Sequence, residues 1–203
     1  MAVRHAVDVP PGFDPRARPR LLIGNHVSWL DVFALQAVSG ARFVAKAELA
    51  SWPLIGRLIR QSGTVFIERG KRSDTRRINA TLRAHLEAGE VIAVFPEGTT
   101  SDGRDVLKFH ANLLQAALDA GVDIVPFCLR YVDPDGRQSE APAYIGDMTF
   151  LQSVGRILAA PRFTCEVTFF PPLSVEGRTR RELALAAQQM VRERLHGYSR
   201  QDR

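Results

Sequence analysis

The chain has 203 residues, 45% of them apolar, enough to bury one sizeable core, and the expected organisation is a single domain over 1–203. Its 27 Lys and Arg against 22 Asp and Glu give +5, nearly all of it from arginine, which suits an anionic partner such as a membrane face, a phosphorylated substrate or nucleic acid, or simply a solvated basic surface. No stretch reaches the ~18 consecutive apolar residues of a membrane-spanning helix, and the opening MAVRHAVDVPPGFDPRARPR lacks the apolar core of a signal peptide, so the chain is expected to stay in the cytoplasm while able to lie against a membrane.

Residues 1–19 read as a polar N-terminal lead. RLLIG (Arg20 to Gly24) then makes a short buried strand, followed by a helix from about Ser28 to Val38 and a second strand, RFVAK (Arg42 to Lys46). ELASWPLIGRLIRQSG is helical in pattern but interrupted at Pro53, and TVFI (Thr64 to Ile67) is a third strand. In DTRRINATLRAHLEAG, Ile78, Leu82 and Leu86 fall on one helical face and Gly89 closes the helix. VIAVF (Val91 to Phe95) is a fourth strand, FHANLLQAALDAG a helix ending at Gly121, and DIVPFCLRY a fifth strand before the turn VDPDGRQ. A short helix near Phe150 to Ala159, a strand FTCEVTFF and a last helix from about Thr179 to Leu195 complete the chain. Strands alternating with helices predict an α/β fold, a mostly parallel sheet covered by helices. Cys128 and Cys165 each lie within an apolar or alternating segment and read as buried thiols, not as a disulfide or a metal site.

The stretch LIGNHVSWLDVFAL raises a chemical question, since His26 and Asp31 interrupt greasy surroundings five positions apart. In one regular helix, five residues would separate them by about 140° and their side chains would not meet. Ser28 and Asp31 have capping-box spacing instead, with Ser28 as N-cap and Asp31 in the first turn. His26 would then sit ahead of the helix on a turn that folds back over it. The helix N-terminus favours a charged Asp31, and a carboxylate beside an imidazole fixes its tautomer and makes it a better proton acceptor. Taken alone, the stretch reads slightly better as a helix cap with a locally bonded histidine. No second histidine stands at ligand spacing, so no metal site is expected.

Two further stretches follow strands directly, at the carboxyl end where open α/β sheets place their sites. VFPEGTTSDG crowds Glu97, Thr99, Thr100 and Ser101 into a turn shaped by Pro96, Gly98 and Gly103. In GTVFIERGKRSDTRR, Arg69 stands nearest the strand end and suits a phosphate through its planar fork of donors, whereas Lys71, Arg72, Arg76 and Arg77 read as a solvated charge run.

Four blocks in order, NHVSWLD, GTVFIERG, FPEGTTS and IVPF, resemble the four motifs of the glycerolipid acyltransferases that acylate lysophosphatidic acid and related lysolipids; the match spans about Leu21 to Phe127. The resemblance implies a glycerol-phosphate-acyltransferase-like α/β fold. It also implies an O-acyltransferase that moves a fatty acyl group from a thioester (acyl-CoA or acyl carrier protein) to a lysolipid hydroxyl, with 1-acyl-sn-glycerol-3-phosphate as the expected acceptor and no cofactor. His26 is then the general base and Asp31 its orienting partner. Glu97 and Gly98, with Thr99 and Thr100, shape the acceptor pocket, and backbone N–H groups of that turn are placed to steady an oxyanion. Arg69 and Lys46 grip a headgroup phosphate, and Pro126 shapes the acyl-donor region. The family's third motif usually carries Arg where Thr100 stands, a departure that resembles the lyso-ornithine-lipid acyltransferase branch, whose acceptor lacks phosphate. Where relatives often have Phe-Lys-x-Gly, this chain has Phe109-His110-Ala111-Asn112, and His110 reads as a surface or helix-start residue rather than a second base.

The expected location is peripheral, at the cytoplasmic face of the inner membrane. Contact is expected through SWPLIGRLI, whose Trp52, Leu54, Ile55, Leu58 and Ile59 alternate with Arg57 and Arg60, although ordinary core packing fits this segment too. A non-catalytic lipid-surface module is the alternative from another class. A nucleic-acid partner is not expected, because no interleaved basic and aromatic stripe accompanies the arginines.

Overall fold

A computed structural model describes residues 4–16, 19–46, 64–67 and 72–201. Its centre is a seven-stranded sheet of β1 (Arg4–Asp8), β2 (Arg20–Gly24), β3 (Arg42–Lys46), β4 (Val65–Ile67), β5 (Val91–Val94), β6 (Ile124–Val132) and β7 (Thr164–Phe169), in the order β1-β7-β6-β2-β5-β3-β4. The five strands from β6 to β4 run parallel; β7 is antiparallel to β6, and β1 is parallel to β7. The helices are α1 (Leu30–Ser39), α2 (Arg72–Glu87), α3 (Gln115–Ala120), α4 (Phe150–Ala159) and α5 (Arg180–Gln201). The α/β architecture, mostly parallel with helices over the sheet, is the one the sequence predicted.

Alternation along the central strands sorts side chains to two cores, one on each sheet face. Leu21 and Ile23 of β2 join Ile78, Leu82 and Leu86 of α2 and Leu183, Ala187 and Val191 of α5. Leu22 joins Ala34 and Leu35 of α1, Ile157 of α4, and Phe127, Leu129 and Tyr131 of β6. The face predicted for α2 is therefore the buried one, while Arg76 and Arg77 are exposed. Both cysteines are buried and free, and burial pushes the Cys128 thiol up to about 12.

Three expectations change. The N-terminal lead contains an edge strand, β1, paired in register from Arg4 with Thr164 to Asp8 with Thr168 and tied to α5 by an Asp8–Arg194 ion pair at 2.9 Å. An edge strand with one solvated side lacks the apolar run that marks the central strands. The helix predicted from Phe109 begins only at a 3₁₀ turn, Ala111–Leu114, because His110 ahead of it is extended (φ -80°, ψ 115°), with the Phe109 and His110 N–H groups bonded to Gln188 Oε1 and the Pro96 carbonyl. Ser28 does not open the helix, which is assigned from Leu30, with Trp29 ahead of it already at helical dihedrals. The segment SWPLIGRLI lies outside the described residues. Among those described, no helix is long and apolar enough to cross a membrane.

Candidate active site

The site forms where β2 and β5 end on the same sheet edge. Gly24 closes β2 opposite Phe127, so tightly that a Cβ there would lie 2.3 Å from the Phe127 carbonyl oxygen and 2.4 Å from its ring. Asn25 then continues the ladder with its side chain: Nδ2 donates to the Leu129 carbonyl at 2.9 Å and Oδ1 accepts from the Leu129 N–H at 2.8 Å. This buried amide pair fixes the chain immediately before His26.

From there the chain turns back over α1, as the His26–Asp31 spacing suggested. His26 Nδ1 lies 2.8 Å from Asp31 Oδ2, with the imidazole 19% exposed and the carboxylate fully buried. A carboxylate only accepts, so Nδ1 carries the proton, and Nε2 is left as the ring nitrogen with a lone pair for a substrate. Oδ2 also accepts from the Val27 and Ser28 N–H groups at 2.7 and 3.0 Å, and Oδ1 accepts from the Tyr131 hydroxyl at 2.7 Å. The capping relation survives in altered form: Asp31 reaches back to Ser28, while the Ser28 hydroxyl accepts from Leu30 N–H at 3.3 Å. The imidazole lies flat on Phe95, centroids 3.9 Å apart and planes 7° from parallel, so the ring is held by a face contact as well as by the carboxylate.

The turn after β5 grips the His26 backbone. Glu97 Oε2 accepts from His26 N–H at 3.1 Å and Oε1 from Leu107 N–H at 3.0 Å, while the His26 carbonyl accepts from Ser101 N–H at 2.8 Å. Glu97 is 4% exposed, and burial pushes its carboxyl up to about 7, against the two N–H bonds that favour the charged form. Gly98 adopts φ 75° at the tip, with the edge of the exposed His110 ring near the space a Cβ would take. Thr99 is exposed beside it. The Thr100 hydroxyl donates to the Tyr144 carbonyl, and Tyr144 N–H donates to the Val27 carbonyl at 3.0 Å, so a third segment is tied to the same junction.

His26, Asp31, Glu97, Gly98, Thr99 and Thr100 are thus brought to one edge. Glu97 and Thr100, read from sequence as pocket-shaping groups, have their polar atoms on main-chain partners. Lys46 ends β3 on that edge, its backbone in register with Ile67, but its side chain lies outside what the structure describes, as does Arg69 altogether. Pro126 is not brought in. It is buried in mid-strand, sharing the sheet face of Ile124 and Cys128, opposite the face of Phe127 and Tyr131. Its missing N–H falls where the β7 ladder has given way to the Phe170-Pro171-Pro172 bend, and only its carbonyl is used, by Phe170 N–H at 2.9 Å. Asn25 and Tyr131 were missed by the sequence reading. The signal for Tyr131 was a phenol in an apolar alternating strand, which needs a buried partner. Among the described residues, no group of His, Cys, Asp and Glu could hold a metal ion.

The site thus consists of a partly exposed imidazole held by a buried carboxylate at the edge of a parallel α/β sheet. The family model described as Acyltransferase matches residues 9–130, and the chain belongs to that family. It is 40% identical over 186 residues to a lyso-ornithine lipid O-acyltransferase of Pseudomonas aeruginosa, covering 92% of this chain and 71% of that protein. It is also 40% identical over 149 residues to a 1-acyl-sn-glycerol-3-phosphate acyltransferase of Neisseria gonorrhoeae, covering 73% of this chain and 58% of that one. The fold matches the crystal structure of the 1-acyl-sn-glycerophosphate (LPA) acyltransferase from Thermotoga maritima with a TM-score of 0.68 and 24% identity, over 97% of this chain and 73% of that chain.

Proposed function

We propose that the chain transfers a fatty acyl group from an acyl thioester to the hydroxyl of a lysolipid, with His26 as the general base. The observation that carries this reading is the 2.8 Å His26–Asp31 pair, whose imidazole is partly exposed while its partner is sealed from water. Nε2 takes the proton of the acceptor hydroxyl as its oxygen attacks the thioester carbonyl carbon. The tetrahedral intermediate then collapses, the C–S bond breaks, and the departing thiolate recovers the proton from the imidazolium. The products are an ester and a free thiol. Asp31 supports the transient imidazolium and holds the ring in the productive tautomer. Acyl-CoA and acyl carrier protein both present the required thioester, and the transfer as written balances without a cofactor.

For the acceptor, a lyso-ornithine lipid is favoured by the 92% coverage of the Pseudomonas relative and by Thr100 at the position where a phosphate-binding arginine usually stands. The second reading, 1-acyl-sn-glycerol-3-phosphate, is supported by the Neisseria relative and by the basic surplus. Lys46 and Arg69 would then hold its phosphate: β5 and β3 stand in order beside β2, which puts the end of β3 roughly 10 Å from the end of β2. Both acceptors sit in bilayers, which supports a peripheral position at the cytoplasmic face of the inner membrane. The test is thiol release from a long-chain acyl-CoA by purified protein against both acceptors. Acylation of either one, lost in His26→Ala, is the expected result. Undiminished turnover in H26A would sink the mechanism, and H26A-insensitive binding of lipid without turnover would favour a surface module.

A further inference from the structure

We propose that Tyr131 is a positioning residue of the transfer site: its hydroxyl holds the Asp31 carboxylate in the plane that meets the His26 ring. The inference rests on the reading of His26 as base. Tyr131 lies on β6, a hundred positions from Asp31, and is 2% exposed. A phenylalanine would fill the same apolar space. The hydroxyl is what differs, and it donates to Asp31 Oδ1 at 2.7 Å while Oδ2 bonds the imidazole and two N–H groups. Held at both oxygens, the carboxylate cannot rotate about its last torsion without abandoning a donor. Held only at Oδ2, it would keep Oδ1 in a dry core with no donor, and rotation or water entry would relieve that.

The surroundings suit a fixed donor. The Tyr131 ring meets Phe163 edge-on at 5.8 Å, and the buried Cys165 thiol of β7 neighbours its hydroxyl. Burial first, and then the Asp31 charge, hold the phenol well above its ordinary range, so it stays protonated. The titratable groups facing the pair are Tyr131 from β6, Cys165 from β7 and Glu97 from the turn after β5. Burial likewise raises the Cys165 thiol, leaving Glu97 as the neighbour that titrates near neutrality.

The experiment compares kcat, KM and the pH profile of kcat in the wild type, Tyr131→Phe, Phe163→Leu and His26→Ala. Y131F is expected to lose about tenfold in kcat, since misplacement of a catalytic group by a fraction of an ångström is felt at this scale, with KM within about twofold. Its acidic limb moves up by about half a pH unit, because a carboxylate relieved of one donor attracts the imidazolium proton more strongly. F163L disturbs the same ring, keeps the hydroxyl, and should melt lower with the limb in place. Should Y131F fail to fold, 3-fluorotyrosine incorporated into a Y144F/Y198F parent strengthens the donor without changing its shape and should move the limb to lower pH than in that parent. Wild-type kcat and limb in Y131F, an unmoved limb in the fluorinated protein, or an equal shift in F163L would each overturn the proposal. If H26A is active, the base assignment fails; if H26A is dead and Y131F is normal, only the Tyr131 inference fails.

Discussion

Replacing Asp31 by Asn removes one charge from the site while nearly preserving its shape. Oδ2 faces three donors, from His26, Val27 and Ser28, so the amide must keep its oxygen there and present its NH₂ to Tyr131, whose hydroxyl can turn to accept. Geometry therefore favours a folded variant. What is lost is the negative charge 2.8 Å from the ring that becomes an imidazolium during the reaction. Base catalysis by a positioned group is worth ~10²–10⁴ in rate, or about 3–5 kcal/mol at 1.36 kcal/mol per tenfold. D31N should lose most of that range in kcat. Stability should fall less, by about 1–3 kcal/mol, because four hydrogen bonds persist in weaker, neutral form. The assay is thiol release at saturating acyl-CoA, with urea unfolding of the same preparations. A folded D31N retaining more than about a fifth of wild-type kcat would show that the carboxylate is only a cap.

The turn after β5 gives a pH prediction. Glu97 has a carboxyl raised from 4.5 to about 7 in the folded state, so the fold holds more protons than the unfolded chain between those values, and stability should be highest below that window and decline as pH rises through about 7. Glu97→Gln should flatten this decline in melts at matched ionic strength; a parallel slope would contradict it. Asn25→Ala strips both partners from the Leu129 main chain inside the core and should cost about 2–4 kcal/mol by urea denaturation, while a loss under about 0.5 kcal/mol would mean that water replaces the amide. Gly24→Ala puts a methyl within 2.4 Å of the Phe127 ring and main chain, so soluble yield should collapse or stability drop by about 3 kcal/mol or more; a normal melt would show that β6 can retreat.

The central strands were legible because a strand buried on both sides is an unbroken apolar run, as in Leu21 to Ile23 and Ile124 to Cys128. The His26–Asp31 pair was legible because its partners are local: a turn, a cap and five residues of spacing. Asn25 and Tyr131 were not, because each acts on a group a hundred positions away, and no local pattern announces which carbonyl or carboxylate a buried amide or phenol will meet. Pro126 shows the complementary limit. It belongs to a recognisable block, yet the alternation of β6 turns it away from the imidazole and gives the site Phe127 and Tyr131 instead. Phe109 and His110 kept helical periodicity, but His110 is extended and the helical turns start only after it.

The two buried acids divide the control of one histidine. Asp31 bonds the ring, and its charge acts on the proton that moves; Glu97 bonds the His26 main chain and the Leu107 N–H, so it fixes where that ring starts from. They come from different segments, the first turn of α1 and the turn after β5, and meet different donors, which explains why one acid cannot replace the other. A longer side chain at position 31 would push the ring off Phe95, against which it lies at 3.9 Å, and a shorter one at 97 would take the acceptor from the His26 and Leu107 N–H groups. Asn25 and the Ser101 N–H complete the hold on the same short segment from either side. Every group that fixes the His26 backbone bonds it through main-chain atoms or through its immediate neighbours. The exposed part of the imidazole is thereby left to the substrate, which is the condition a base needs to meet a hydroxyl that arrives with a lipid and leaves as an ester.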